Sequence, residues 1–337
     1  MKNRILVVVC CVAWMVSANY LLAAIRPSFA ALLCVGYLQA AEVTFIELKG
    51  HEGLVKSAAF SPDSKKVVTS SQDKTARIWD AESGKELLTL EGHTDVVDSA
   101  AFSPDGKQIV TSSWDKTTRI WDVESGKEVQ KLGGYSDRVF SAAFSPDGKK
   151  IVTGGGDGIL RIWNAESGKV LQTLQGHTSR TSRSWIFSAS FSPNGEKIVT
   201  SSHDRTIKIW DTESGKELRT LRGHKLEIWS AAFSPDGKKI VSGSFDKTVK
   251  IWDVESGNEL RTLEHTGTVF SAAFSPNGKK VATGEGKVAR LWDIESGKEQ
   301  QTLEGHSQVV YSVAFSPGGK KIVTASEDHT ARIWTLE

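Results

Sequence analysis

The sequence predicts an all-β fold, a seven-bladed propeller of four-stranded antiparallel blades, and three observations carry that prediction. Tryptophans recur in register at Trp79, Trp121, Trp163, Trp210, Trp252, Trp292 and Trp334, separated by 42, 42, 47, 42, 40 and 42 residues. Each unit holds four short runs rich in β-branched, apolar or aromatic residues, divided by turn residues. The last unit stops one run short, while an extra run stands ahead of the first. A repeat of this length is one supersecondary unit that cannot bury both its faces alone, so the units must stack on one another.

The second unit, Gly92 to Leu132, shows the local pattern. VVDSAAF reads as a strand, and SPDG at Ser103 to Gly106 follows it with Pro at the second and Gly at the fourth place of a type I turn. KQIVTSS, the tight turn Trp114 to Lys116, TTRIWD, the turn Glu124 to Lys127 and EVQKL complete the unit. Strands this short, joined by turns this tight, pair antiparallel with their neighbours in sequence, which makes each unit a meander. Seven of the eight prolines, Pro62 through Pro317, sit in the SPDG-like turns, where a missing N–H does no harm.

Radial stacking of seven small sheets leaves only short edges open. VTFIEL, Val43 to Leu48, matches the strand that the last unit lacks, and pairing it there joins the two ends of the domain and removes a free edge. The expected domain spans 42–337, preceded by a hydrophobic segment, 1–41.

Gly-His opens five units, at His51, His93, His177, His224 and His306, and Trp-Asp closes the third strand in five, at Asp80, Asp122, Asp211, Asp253 and Asp293. On these motifs, all in step, the chain resembles the WD-repeat (WD40) β-propellers over Glu42 to Glu337. The resemblance implies a hydrogen-bonded network in each blade, formed in the second unit by His93, Ser113 or Thr111, Asp115 and Trp121. A buried indole N–H and a buried carboxylate both need partners, so these residues are expected to be structural and not catalytic. Two units depart from the pattern. The third has Tyr135 in place of His and Asn164 in place of Asp, and the sixth reads Gly284-Glu285-Gly286-Lys287 where the turn Asp belongs. Lost hydrogen bonds at about 1 kcal/mol each would make these two blades the loosest. Gly154 to Gly158 in the third unit lacks the Lys-Ser/Thr and the following helix of a phosphate-binding loop, so no nucleotide is expected.

One position in the first strand varies. Four residues before the framework Phe stand, in chain order, Lys56, Asp98, Phe140, Phe187, Trp229, Phe270 and Tyr311. The resemblance makes the first strand innermost, which puts these side chains at the mouth of the central channel. Trp114 and Phe245 in second-to-third strand turns lie at the same end, as does Trp185 in an inserted loop that also carries Arg180 and Arg183; Arg138 and His203 join them. Asp95, Asp98, Glu227 and Glu327 give other sectors the opposite sign. Strand parity argues that the variable side chains share the side of the buried Phe and fill space between blades. Lys56 and Asp98 at the same position argue that packing does not demand a ring there. The other end, built from SPDG and ESGK turns, reads as uniform, mixed in charge and uninformative.

The totals bound the function. Forty-two basic against 40 acidic side chains leave a formal charge of +2, too balanced to point to nucleic acid. All three cysteines, Cys10, Cys11 and Cys34, precede the repeats, which excludes a disulfide framework or thiolate metal cluster from them. Lys2 and Arg4 precede an apolar run from Ile5 to Ile25, and a second run follows Pro27. This pattern reads as an export signal cleaved near Ala18 or Ala30, or as a membrane-spanning anchor, or as a mis-assigned start ahead of Met15. The expected location is exported, periplasmic or extracellular, or membrane-anchored. The leading expectation is a non-catalytic scaffold, with no cofactor and no metal, that binds a peptide or protein loop. Phe140, Phe187, Trp229, Phe270 and Tyr311 are its expected anchors and Trp114, Trp185, Phe245, Arg138 and Arg183 its rim. A propeller hydrolase or lyase, or a purely structural spacer, are the alternatives.

Overall fold

The computed structural model describes residues 44–178 and 183–336. Among the described residues, 28 strands form seven four-stranded antiparallel sheets, and there is no helix. Six sheets are meanders in chain order. The seventh pairs Phe45–Lys49 with Thr330–Thr335, beside Lys321–Ser326 and Val310–Phe315. Phe45 faces Trp334 and Lys49 faces Thr330 in register, so the strand at the start of the domain completes the last blade. Glu47 and Arg332 form an ion pair across that seam at 3.0 Å, and the Phe45 ring lies 4.9 Å from the Trp334 indole.

The core lies between blades. Val68, Ile78 and Leu90 of the first blade pack on Val97, Ala100, Ile109 and Trp121 of the second, and the same arrangement recurs around the ring. At the closing junction Leu48, Val323, Ala331 and Ile333 meet Val55, Ala58, Val67 and Trp79. Second strands are buried along nearly their whole length, because both of their faces are covered by neighbouring blades.

The invariant Ser of the SAAF-like strands fastens one blade to the next. The Ala100 N–H donates to Ser57 Oγ at 3.0 Å, Ala142 to Ser99 at 3.1 Å and Ala231 to Ser188 at 3.0 Å. Ala189, Ala272 and Val313 donate likewise to Ser141, Ser230 and Ser271. Six junctions are thus bridged by a hydroxyl that sits in the innermost strand. The tight turns behave as their residues require: Gly106 takes φ +72°, and its N–H donates to Ser103 O at 2.9 Å.

One feature of the first strand departs from the parity expected of it. In every blade the ladder to the second strand slips by one residue at the variable position: Val55 and Ser57 face Ser71 and Ser70, leaving Lys56 between them. The same slip occurs at Asp98, Phe140, Phe187, Trp229, Phe270 and Tyr311. Each variable residue is therefore the extra residue of a β-bulge, which breaks the alternation and re-aims its side chain.

Removal of residues 42–48 tests closure. Burial of Phe45 and Leu48 alone is worth about 4 kcal/mol, so the truncated chain is expected to unfold at a much lower denaturant concentration. An unchanged midpoint would contradict the role of this strand as the seal of the ring.

Candidate functional site

The His, Asp and Trp of the repeats lie inside the blades. In the second blade the Trp121 indole N–H donates to Thr111 Oγ1 at 2.8 Å, and the same oxygen lies 2.7 Å from His93 Nε2. His93 Nδ1 lies 2.8 Å from Asp115 Oδ2, which also accepts the Thr94 N–H at 3.2 Å. A neutral imidazole that donates from Nδ1 and accepts the Thr111 hydroxyl at Nε2 satisfies every group in the chain. Burial raises the Asp115 carboxyl, but hydrogen bonds from His93 and Thr117 outweigh it and hold the group well below the usual carboxylate range. Asp73, Asp204, Asp246 and Asp328 are held down in the same way.

The member of this network drawn from the second strand is Thr111 and not Ser113. Trp121 pairs with Ile109, and Ser113 stands four residues further on, about 13 Å along an extended strand and out of reach of the indole. Ser113 instead accepts the Asp115 N–H at 3.1 Å and donates to Asp95 O at 3.2 Å, holding the turn.

The two departing blades are rewired around different groups. In the third, the Tyr135 hydroxyl bridges Thr118 and Thr153 at 3.1 and 3.0 Å, and Thr153 accepts the Trp163 N–H at 2.9 Å. Burial pushes the Tyr135 phenol up to about 12. Asp157, without an imidazole, takes Arg161 at 2.8 Å. In the sixth, the buried Glu285 carboxylate accepts Arg290 Nε at 2.6 Å and the Gly267 N–H at 3.3 Å, while His265 Nε2 lies 3.0 Å from Thr283 Oγ1. The backbone contact and the indole acceptor are both kept.

The bulged residues meet in a band at one mouth of the channel. Phe140 lies 5.7 Å from Phe187, and Phe187 stacks on Trp229 with centroids 4.3 Å apart. Trp229 meets Phe270 edge-on at 5.6 Å, Phe270 meets Tyr311 at 5.2 Å, and Lys56 Nζ lies 4.4 Å from the centre of the Tyr311 ring. Turn and loop residues thicken the band: Phe245 against Trp229 and Phe270, and Trp185 against Phe140, Phe187 and His203. Trp114 donates its N–H to Asp98 at 3.1 Å and carries the Arg138 guanidinium over its ring at 4.5 Å. Arg183 stacks in the same way on Trp185 at 4.8 Å.

Phe187, Trp229, Phe270, Tyr311, Trp114, Trp185 and Phe245 are half-buried, and Arg138 and Arg183 are exposed. Phe140 is only 7% exposed, so it forms the floor under Trp185 and Phe187 and not a free anchor. Arg180 lies outside the described residues. The sequence places Lys56 and His203 at this end but gives no sign of their contacts: Lys56 caps Tyr311, and His203 is wedged against Trp185 and Phe187. Tyr311 comes from the last repeat and Trp185 from an inserted loop, so no local spacing signals these contacts.

The opposite mouth also differs from expectation. It is a cavity of about 370 Å³ walled by framework rings such as Phe102, Phe191 and Phe233 and by the turn prolines Pro104, Pro193 and Pro235. The sequence signal was present, since Phe-Ser-Pro recurs in every unit. Among the described residues no group of three or more His, Cys, Asp and Glu side chains could hold a metal ion.

Comparison with protein families matches the model described as "WD domain, G-beta repeat" to seven segments: 43–80, 84–122, 126–164, 168–211, 215–253, 257–293 and 297–335. The chain belongs to the WD40 family. Its matched segments each run from one outermost strand through the next blade's third strand, so the family's repeat is offset by one strand from the blade. WD40 propellers are generally non-catalytic and typically serve as scaffolds for protein interaction. A search of curated proteins finds no matching relative.

The latches make stability sensitive to acid. Burial lowers His306 and His265, so the unfolded chain binds protons first as pH falls through about 6.5, the ordinary imidazole value. The depressed aspartates add stability that is complete above their ordinary value near 3.8 and is lost below it. Denaturation midpoints are expected to decline from about pH 6.5 and more steeply below about pH 4; a midpoint at pH 3 equal to that at pH 7 would contradict the linkage.

Proposed function

We propose that this WD40 propeller is a non-catalytic scaffold that docks a peptide or protein loop on the aromatic band at the channel mouth. The observation that carries the reading is the band itself. Seven bulges direct seven side chains to one mouth, and five consecutive ones are aromatic. A half-buried, contiguous group of aromatic rings bordered by arginines has the composition of a binding hot spot. A pure spacer has no use for it, since Lys56 and Asp98 hold the same backbone position without a ring.

We further propose that residues 1–41 export the domain or tether it to a membrane. The tether is compatible with access to the band. Phe45–Lys49 runs from the end that carries the SPDG and ESGK turns toward the aromatic end, so the preceding chain joins the propeller on the far side from the band. A surface held at that side leaves the aromatic mouth facing outward.

Trp229→Ala combined with Phe270→Ala tests the docking surface. Peptides selected on the parent protein from a random display library are expected to lose binding at least about tenfold to the double variant, while the melting temperature shifts by only a few degrees. Equal binding would sink the reading, and a collapse in stability would return the rings to a packing role.

A further inference from the structure

The band is not uniform in charge, and the difference specifies what it fits. Cations within the blades are answered by carboxylates: Arg77 by Glu86 at 2.8 Å, Lys208 by Glu217 at 2.7 Å and Lys250 by Glu259 at 2.8 Å. Those of the band make no such contact, although Lys56 and Arg138 lie near enough to Asp98 to draw its carboxyl downward. Lys56, Arg138 and Arg183 each lie over an aromatic ring, and none makes an ion pair among the described residues. Lys56 and Arg138 approach the same indole, 5.9 and 4.5 Å from the centre of Trp114.

The carboxylates nearby are occupied in other ways. Asp98 accepts the Trp114 N–H, and burial holds its carboxyl above the ordinary range against the pull of both cations. Asp95 and Asp137 turn back to accept the N–H of Val96 and Arg138, each at 2.8 Å. Glu227 faces His203 at 3.7 Å beside Trp185, and Glu327 lies near enough to Tyr311 to raise its phenol, after burial. The Trp114 indole thus carries two cations without ion-pair partners, the carboxylates beside it already accept N–H groups, and Arg183 stands apart on Trp185, next to Phe187.

We infer that the docked segment is an acidic, apolar peptide, whose carboxylate lies on the Lys56–Trp114–Arg138 sector while a neighbouring aromatic or aliphatic side chain covers Phe187 and Trp229. The inference rests on the docking reading above and goes further in assigning the sign of the partner. A guanidinium stacked over an aromatic ring keeps its in-plane donors available, and a charge-assisted hydrogen bond to a carboxylate is stronger than a neutral one.

The test uses the full chain and a random peptide display library, with Trp229→Ala/Phe270→Ala as the counter-selection. Enriched peptides are expected to place Asp or Glu beside an apolar residue. In fluorescence anisotropy, replacing that acid by its amide is expected to weaken binding about tenfold or more. Lys56→Gln/Arg138→Gln, with its melting temperature checked in parallel, is expected to erase the difference between acid and amide while keeping the residual binding. Enriched peptides that are neutral or basic, yet sensitive to Trp229→Ala/Phe270→Ala, would overturn the acidic assignment and leave the docking surface standing. Enrichment insensitive to that double variant would overturn both. Displacement of the peptide by an oligothymidylate of equal charge, at lower concentration, would reassign the sector to nucleic acid.

Discussion

Each blade buries an indole whose N–H has no access to water, and that single demand organises much of the rest. A hydroxyl of the second strand answers it, an imidazole answers the hydroxyl, and a turn carboxylate answers the imidazole. The chain of partners ties three segments of the blade, and it fixes the loop that leads into the first strand through a backbone N–H. Tyr135 and Glu285 show that the demand, and not the residue, is what persists. Both replace the usual partner with a different group, and the indole of each blade still finds a threonine.

The residue just beyond the latch is released from the ladder in every blade, the rewired third and sixth included. The bulge makes that release explicit. Val55 and Ser57 keep their pairing and the serine keeps its bond to the next blade, while Lys56 between them belongs to neither. Repetition along the chain therefore records what the ring needs in order to close, and variation is concentrated at a position whose backbone asks nothing of the side chain. This is the physical basis for reading the band as a recognition surface within a family of interaction scaffolds. It also explains how Asp98 and Trp229 stand at equivalent positions without a difference in the surrounding strands.

Much of this was legible in the sequence because it depends on short spacing. Seven units, the turn prolines and the strand supplied by Phe45–Lys49 follow from the repeat itself. The choice between Thr111 and Ser113 did not, since both share a strand face and only the register with Trp121 separates them. The bulge was hidden for a related reason: an extra residue in a strand changes no composition, and parity counted through it gives the wrong face. Contacts such as Lys56 over Tyr311, or Arg138 over Trp114, join blades that are neighbours only after closure or through a turn, so they become visible with the ring complete. The hydrophobic segment 1–41 lies outside the described residues.

Latch and band do different work within one blade, and the fifth blade offers both in a single sheet. Ser242 Oγ accepts the Trp252 N–H at 2.9 Å and lies 2.7 Å from His224 Nε2, while Trp229 occupies the bulge. Chemical denaturation of Ser242→Ala and Trp229→Lys, measured side by side, is the most direct comparison. Loss of one hydroxyl that serves two buried groups is expected to cost about 2 kcal/mol or more, and loss of the larger ring less than half of that. If the tryptophan variant were the less stable of the two, the bulged rings would be part of the frame and the division proposed between cohesion and recognition would fail.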